Sequence, residues 1–539
     1  MSPLTTSPSV VAPKAVHFED LRRVFSNFDF IELNYGKVPS IRRLFSLSRA
    51  FRGKTLVVED IPAVGIVAEE NAEIRRRYPN HKMGGLQRLT FWRTSFDSEF
   101  DLANQQGKNL LGYAILKQDI VPTHPEGNRK NQWHVFESVF VKYPHVHNYV
   151  HCARTFELRV GLKKPRRFEV EGVLYCQQNG LNKACAQVAL RSLLEPFMPR
   201  GKQLSYGQIH RLAKGRDKDF DPGKGLVSVR IERVLKGLGF RKDEYSLVDY
   251  EHSPSLRRTH KYQNYLYTGL ESGTGALLGF KLTGPKAPPK RHIIPVFGHT
   301  FNQDAWVSNA EAVYFNVGRL KWIQSQAWLG NFIAHDDNFG PNYCIPRLYV
   351  TPWQVQYVLA IHPKGVRQEG VAAEVIGARY IHSLLRDARL GVVSNKWLQR
   401  LMEYGTRNQI VLRALTVSKR EYCSYLFKVT DWEYRHEHRM IPNALNKLDY
   451  LPEHLWVIEV SIPELFPMNK RKLGEMVLDA TRKASPEPNF ETFLFARLPG
   501  SYWFVTGMDR KGKPNFDWRP SRIESHTPLL TKEYETRRH

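Results

Sequence analysis

Apolar residues recur along this chain in two rhythms, one helical and one extended. The helical rhythm is sharpest after "GVLYCQQNGLNKACAQVALRSLL", Gly172 to Leu194. Ala186, Ala189, Leu190, Leu193 and Phe197 are spaced by three and four, which predicts a helix opening at Cys185. The preceding "NGLN" reads as a turn, with Asn182 as a candidate cap. In "SIRRLFSLSRAFRGK" the apolar Ile41, Leu44, Phe45, Leu47 and Phe51 alternate with Arg42, Arg43, Arg49 and Arg52, a basic amphipathic helix. "SYGQIHRLAKG" and "GLVSVRIERVLKGLGF" are helical too, and the second stops at Gly-Leu-Gly as a helix end should.

The extended rhythm marks "NLLGYAILKQDIV" and "WHVFESVFVKY" as strands. "YQNYLYTGLESGTGALLGFKL" predicts a helix and then a strand. "GPKAPPKRHIIPVFGHT" predicts a Pro-rich loop and then a buried strand, and "NFIAHDDNFGPNYCIPRLYV" a strand, a turn and a strand. Past Thr351 helices and strands mix. The class is α+β, with an arm over 1–16, an N-terminal α+β domain over 17–168, a core over 169–350, a C-terminal α+β region over 351–525 and a loose tail over 526–539.

Length and composition narrow the function. The chain has 539 residues, too many for one hydrophobic core, and 42% of them are hydrophobic, enough for folded domains. Its net charge of +26 favours an acidic partner or nucleic acid, with basic clusters in "SIRRLFSLSRAFRGK", "EIRRRYPNHK", "KKPRRF" and "NKRK". Five scattered cysteines without CxxC spacing argue for a reducing compartment. No apolar run is long enough to span a bilayer, and no secretory leader is legible, so a cytoplasmic protein is expected.

Candidate chemistry centres on Cys185. A thiol attacks as thiolate, and a helix N-terminus favours that form. Gln177, Gln178 and Asn179 stand just upstream and offer amide donors for an oxyanion. His292 opens the apolar strand "HIIPVFGH", where a base can face the helix start. Asp336 or Asp337 closes another apolar strand, where a carboxylate can hold the second ring nitrogen. His299 is a rival base. Its odd offset from His292 puts it on the opposite face of a regular strand.

The words "QQNGLNKACAQVAL", "HIIPVFGH" and "DDNFG", in that order, resemble papain-like cysteine peptidases. The likeness is to bacterial peptidases that process bacteriocin leaders and to their cytoplasmic relatives, and it covers roughly residues 170–350. It implies a papain-like core, a helical half against a β-rich half. It also implies Cys185 as nucleophile, His292 as base, Asp336 as orienter and Gln178 as oxyanion donor. It calls for a peptide or protein substrate, and for no cofactor and no metal. Gln178 stands one residue further from the cysteine than the family's glutamine, and the segment "VSNAEAVYFNVGRLKWIQSQAWLGN" is inserted between His292 and Asp336, where it would cover the cleft or carry specificity.

Other readings stay open. The same triad serves amide transfer or deamidation. A degenerate peptidase fold could instead bind nucleic acid through the basic segments. His145, His147, His151 and Cys152 have the residue types of a zinc site but the spacing of no common finger, and His436 and His438 read as a charged loop.

Overall fold

The computed structural model describes residues 7–22, 24–122, 130–141, 148–150, 152–199, 202–246, 262–284, 287–302, 314–317, 320–347, 354–387, 410–428, 451–466, 471–483, 490–508 and 514–520, with residues 399, 401, 403, 404 and 407. His145, His147, His151, His436, His438 and the tail over 526–539 lie outside them. The fold is α+β and its sheets are largely antiparallel.

The N-terminal sheet is a meander of Ala15–Asp20, Thr55–Asp60, Lys82–Trp92, Leu110–Val121 and Lys130–Phe140. Alternation decides what each face meets. Leu56 and Val58 pack under Ile41, Leu44, Phe45 and Leu47 of the helix Pro39–Ala50. Val57, between them, points the other way and joins the cluster of the cysteine helix, Cys185–Leu194.

A central sheet lies on the far side of that helix. Its strands run Gly340–Pro346, Leu329–Asp336, Ala287–Phe301, Ala276–Gly284, Val355–Pro363 and Phe240–Ser246. Asn148–Val150 also pairs with Ala287–Phe301. Leu277, Ile293, Phe297, Ile333 and Leu359 face the cysteine helix. Leu278, Ile294, Val296 and Val358 face the helix Tyr262–Glu271 instead. The cysteine helix is thus a middle layer, which is why Ala186 through Leu194 are all buried.

Two expectations need correcting. The histidine strand begins at Ala287, inside the stretch expected to be a Pro-rich loop. The other concerns the inserted segment, expected at the cleft or as a carrier of specificity. Tyr314–Val317 and Leu320–Gln324 instead join the C-terminal sheet, where Leu320–Gln324 pairs in parallel with Val411–Ser418. That sheet continues through His454–Ser461, Gly474–Asp479, Phe493–Leu498, Ser501–Met508 and Pro514–Pro520. The helix Gly370–Asp387 covers one face and Lys419–Lys428 the other. Its Leu320–Gln324 strand fits this sheet because Trp322 is fully buried there. The central sheet also runs past the expected boundary at 350, to Pro363.

Glu374 sits where these layers meet. Burial, reinforced by the charge of Glu271, raises its pKa to about 8, against a 2.7 Å hydrogen bond donated by Gln324 Nε2. An unfolded glutamate titrates near about 4.3. Since the folded value is the higher one, stability present at low pH is lost as pH rises through 8. Glu374→Gln keeps the neutral partner for Gln324, so its melting temperature should fall less than the wild type's between pH 5 and about 8.5. Parallel melting curves across that range would check it.

Candidate active site

Cys185 is the first residue of the buried helix, and Ala184 precedes it as an extended cap with φ −114° and ψ 179°. Asn182 does not cap. Its Nδ2 donates to Glu73 at 2.9 Å, and its Oδ1 accepts from Asn179 at 2.9 Å. Gln187 takes over the local role, accepting from the Ala184 N–H at 3.3 Å and donating to Pro222 O at 2.7 Å. The backbone N–H of Cys185, in the first turn, has no partner within the helix and lies beside its own thiol. The thiol is half-buried.

His292 lies 3.3 Å from Asp336 Oδ1 and 3.4 Å from Asp337 Oδ1, both through Nε2. Asn338 Nδ2 stands 3.4 Å from the same nitrogen. Cys185 is close enough to the imidazole to raise its pKa. With Nε2 given to the acidic turn, Nδ1 is the nitrogen left for the thiol. Burial lowers the His292 pKa, but the bonds to Asp336 and Cys185 and the charges of both aspartates outweigh it and raise it to about 10. Asp337 is 4% exposed and burial raises its pKa to about 7, so its charge adds to the pair only above that pH. Neither of its carboxyl oxygens has a hydrogen-bond partner. The turn is held by the Asn338 N–H, which donates to Asp336 Oδ1 at 2.9 Å.

Glycine shapes both walls. Gly340 has φ +126°, and a Cβ there would lie 2.7 Å from the Cβ of Arg43. Its absence lets the helix Pro39–Ala50 press onto the acidic turn, where Arg43 donates to Pro341 O at 3.2 Å and Asn342 O at 2.6 Å. A Cβ on Gly279 would run into the ring of Tyr357, which lies near Cys185.

The three candidate amides part company. Gln177 is buried and its Oε1 accepts from Ser40 at 2.6 Å and from the Val135 N–H at 2.9 Å. Asn179 is buried too, and its Oδ1 accepts from the Leu181 and Asn182 N–H groups. Gln178 alone of the three lies at the turn that bears the aspartates, donating to Asn338 Oδ1 at 2.9 Å. Asn338 therefore links His292 to Gln178. The only sequence signal for it was its place in the "DDNFG" turn.

His299 is elsewhere, though not for the expected reason. The strand bulges between Val296 and Gly298, so strict alternation fails. His299 packs with Tyr149, Tyr267 and Phe301, on the face that also takes Ile294 and Val296. What removes it from Cys185 is distance along the strand, seven residues at about 3.3 Å each, and an ion pair with Glu271, itself bonded to Arg413.

The loop before Cys185 is tied to the N-terminal sheet and its helix Gly65–Arg77 by buried charge. Lys183 Nζ is 2.9 Å from Glu70 Oε1, and Lys117 Nζ is 3.0 Å from Glu70 Oε2. Burial pushes the Glu70 pKa up, and the two lysines overcome it to about 2. Arg191, on the cysteine helix, is 2.6 Å from Glu137, both fully buried. Basic residues read as a partner surface are in part internal ties. Arg77 reaches Leu181 O and Asp221, and Lys472 of "NKRK" is 1% exposed between Glu459 and Glu475. Composition counts such residues but cannot show where they point.

Among the described residues, His292, Asp336 and Asp337 form a group with metal-ligand potential, their donor atoms all within 4.8 Å of one another. No helix among the described residues is long and apolar enough to cross a membrane. No protein-family model and no curated protein matches the chain.

Glu70→Ala would strand Lys183 in the interior. The expected loss is about 3–5 kcal/mol of stability, as for other broken buried pairs, with faster hydrogen exchange in the 177–184 loop. A wild-type urea midpoint in the variant would refute the clamp.

Proposed function

We propose that this protein is a papain-like cysteine hydrolase of peptide or isopeptide bonds. One observation carries the reading: His292 stands 3.3 Å from Asp336 and close enough to Cys185 for the thiol to raise its pKa. The layout supports it as well. A helix presenting a thiol at its N-terminus packs against an antiparallel sheet whose strands carry the base and the carboxylate.

The chemistry follows from that contact. His292 Nδ1 takes the thiol proton, and Asp336 stabilises the imidazolium. The thiolate attacks the carbonyl carbon, and the oxyanion is held by the Cys185 N–H and the Gln178 amide. The imidazolium then protonates the leaving amine, and a thioester on Cys185 remains. Water, deprotonated by His292, attacks the thioester and releases the acid and the thiol. An amine in place of water would give amide transfer from the same intermediate.

An electrophilic peptide-like probe should label Cys185, identified by mass spectrometry, and Cys185→Ala should abolish both labelling and turnover while the protein stays folded. Labelling of Cys344 instead would sink the assignment. Gln178→Ala should slow turnover about 10²–10³-fold, the usual loss for one oxyanion donor. His292→Ala should slow iodoacetamide alkylation of Cys185 near neutral pH. His299→Ala should leave that rate alone and lower the melting temperature, because it breaks the buried pair with Glu271.

A further inference from the structure

The contacts around His292 Nε2 are long for hydrogen bonds. An N–H···O bond is commonly about 2.9 Å, whereas Asp336 and Asp337 stand 3.3 Å and 3.4 Å away. Those lengths match another geometry. Ligand atoms about 2.0–2.1 Å from a tetrahedral zinc ion lie about 3.3–3.4 Å from each other. The third edge, between the two carboxylates, is no more than 4.8 Å. Rotation of the Asp337 carboxyl can shorten it, since neither of its oxygens has a hydrogen-bond partner. That carboxyl is 4% exposed and aimed at His292 without a hydrogen-bond donor, the state of a ligand awaiting a cation. Asp336 is already oriented by the Asn338 N–H at 2.9 Å, the outer support that metal ligands require.

We propose that His292, Asp336 and Asp337 bind a zinc ion, and that zinc held there silences Cys185. The donor set selects the metal. Imidazole suits zinc and not calcium, and octahedral magnesium would want its ligands about 2.9 Å apart. The fourth position is left for water.

The effect on the thiol follows from the ring. Zinc takes the Nε2 lone pair, so the Nε2 proton is released to solvent. The neutral imidazole keeps its one remaining proton on Nδ1. That nitrogen then faces Cys185 as a donor and can no longer accept the thiol proton. Metal binding stands on the donor geometry alone. Inhibition rests also on the hydrolase reading, through the Cys185–His292 contact.

The test uses the full chain and zinc chloride. Calorimetry should show one zinc site, weakened at least about 10-fold by Asp337→Asn and by His292→Ala, and kept in Cys185→Ala. Zinc should slow iodoacetamide alkylation of Cys185 about 10-fold or more, a chelator should restore the rate, and magnesium or calcium should have no effect. Asp337→Asn, which stays isosteric, covers the case in which His292→Ala does not fold. Absence of zinc binding would overturn the proposal, as would binding lost in Cys185→Ala but kept in Asp337→Asn. Turnover that rises with zinc would overturn it too. Zinc that binds there and leaves alkylation unchanged would overturn the inhibition, while probe labelling of Cys185 tests the hydrolase reading separately.

Discussion

The cysteine helix has no solvent side. Val57, Ile115 and Val139 of the N-terminal sheet close over it from one direction, and Leu277, Ile293, Phe297 and Leu359 of the central sheet from the other. A ten-residue helix is marginal alone, and this one is held by burial on both faces. Its start is consequently placed by two sheets at once. That constraint brings Cys185 close to His292, which the central sheet carries.

Charge does inside this protein what composition suggested it would do outside. Burying an ion costs several kcal/mol unless it is paired and hydrogen-bonded, and the pairs here are placed to fix direction. Arg191 joins Glu137, tying the cysteine helix to the N-terminal sheet. Lys183 joins Glu70 two residues before Cys185. Arg43 reaches across to the turn that carries Asp336 and Asp337. The N-terminal sheet and its helices are thereby a structural part of the candidate site, because they grip the loop before the thiol and the turn behind the histidine.

On the two proposals, the acidic turn would serve two chemistries with one set of atoms. A thiol mechanism needs His292 protonated at Nε2 and free to exchange at Nδ1. A metal needs Nε2 unprotonated. Asp337 is where the two demands diverge: Asp336 suffices to orient the ring, whereas a second buried carboxyl without a donor suits a cation better than a hydrogen bond.

The helix at Cys185, the strands around His292 and Asp336, and the basic helix at 39–50 were all legible in the chain, because each repeats apolar residues at the period of its own backbone. The residue types of the site were legible for the same reason, since they sit where elements begin or end. Which amide reaches the acidic turn was not. Gln177, Gln178 and Asn179 are chemically alike, and only contacts with Ser40, Asn338 and Asn182 separate them. Nor was the fate of His299, since a single bulged residue at Val296–Gly298 defeats alternation and leaves no mark in composition. Within the inserted segment, Leu320–Gln324 joined a sheet whose partner strand lies some ninety residues further on, at Val411–Ser418. Local periodicity reports how a segment folds; pairings across that distance, and the buried charges that lock them, exist only once the layers meet.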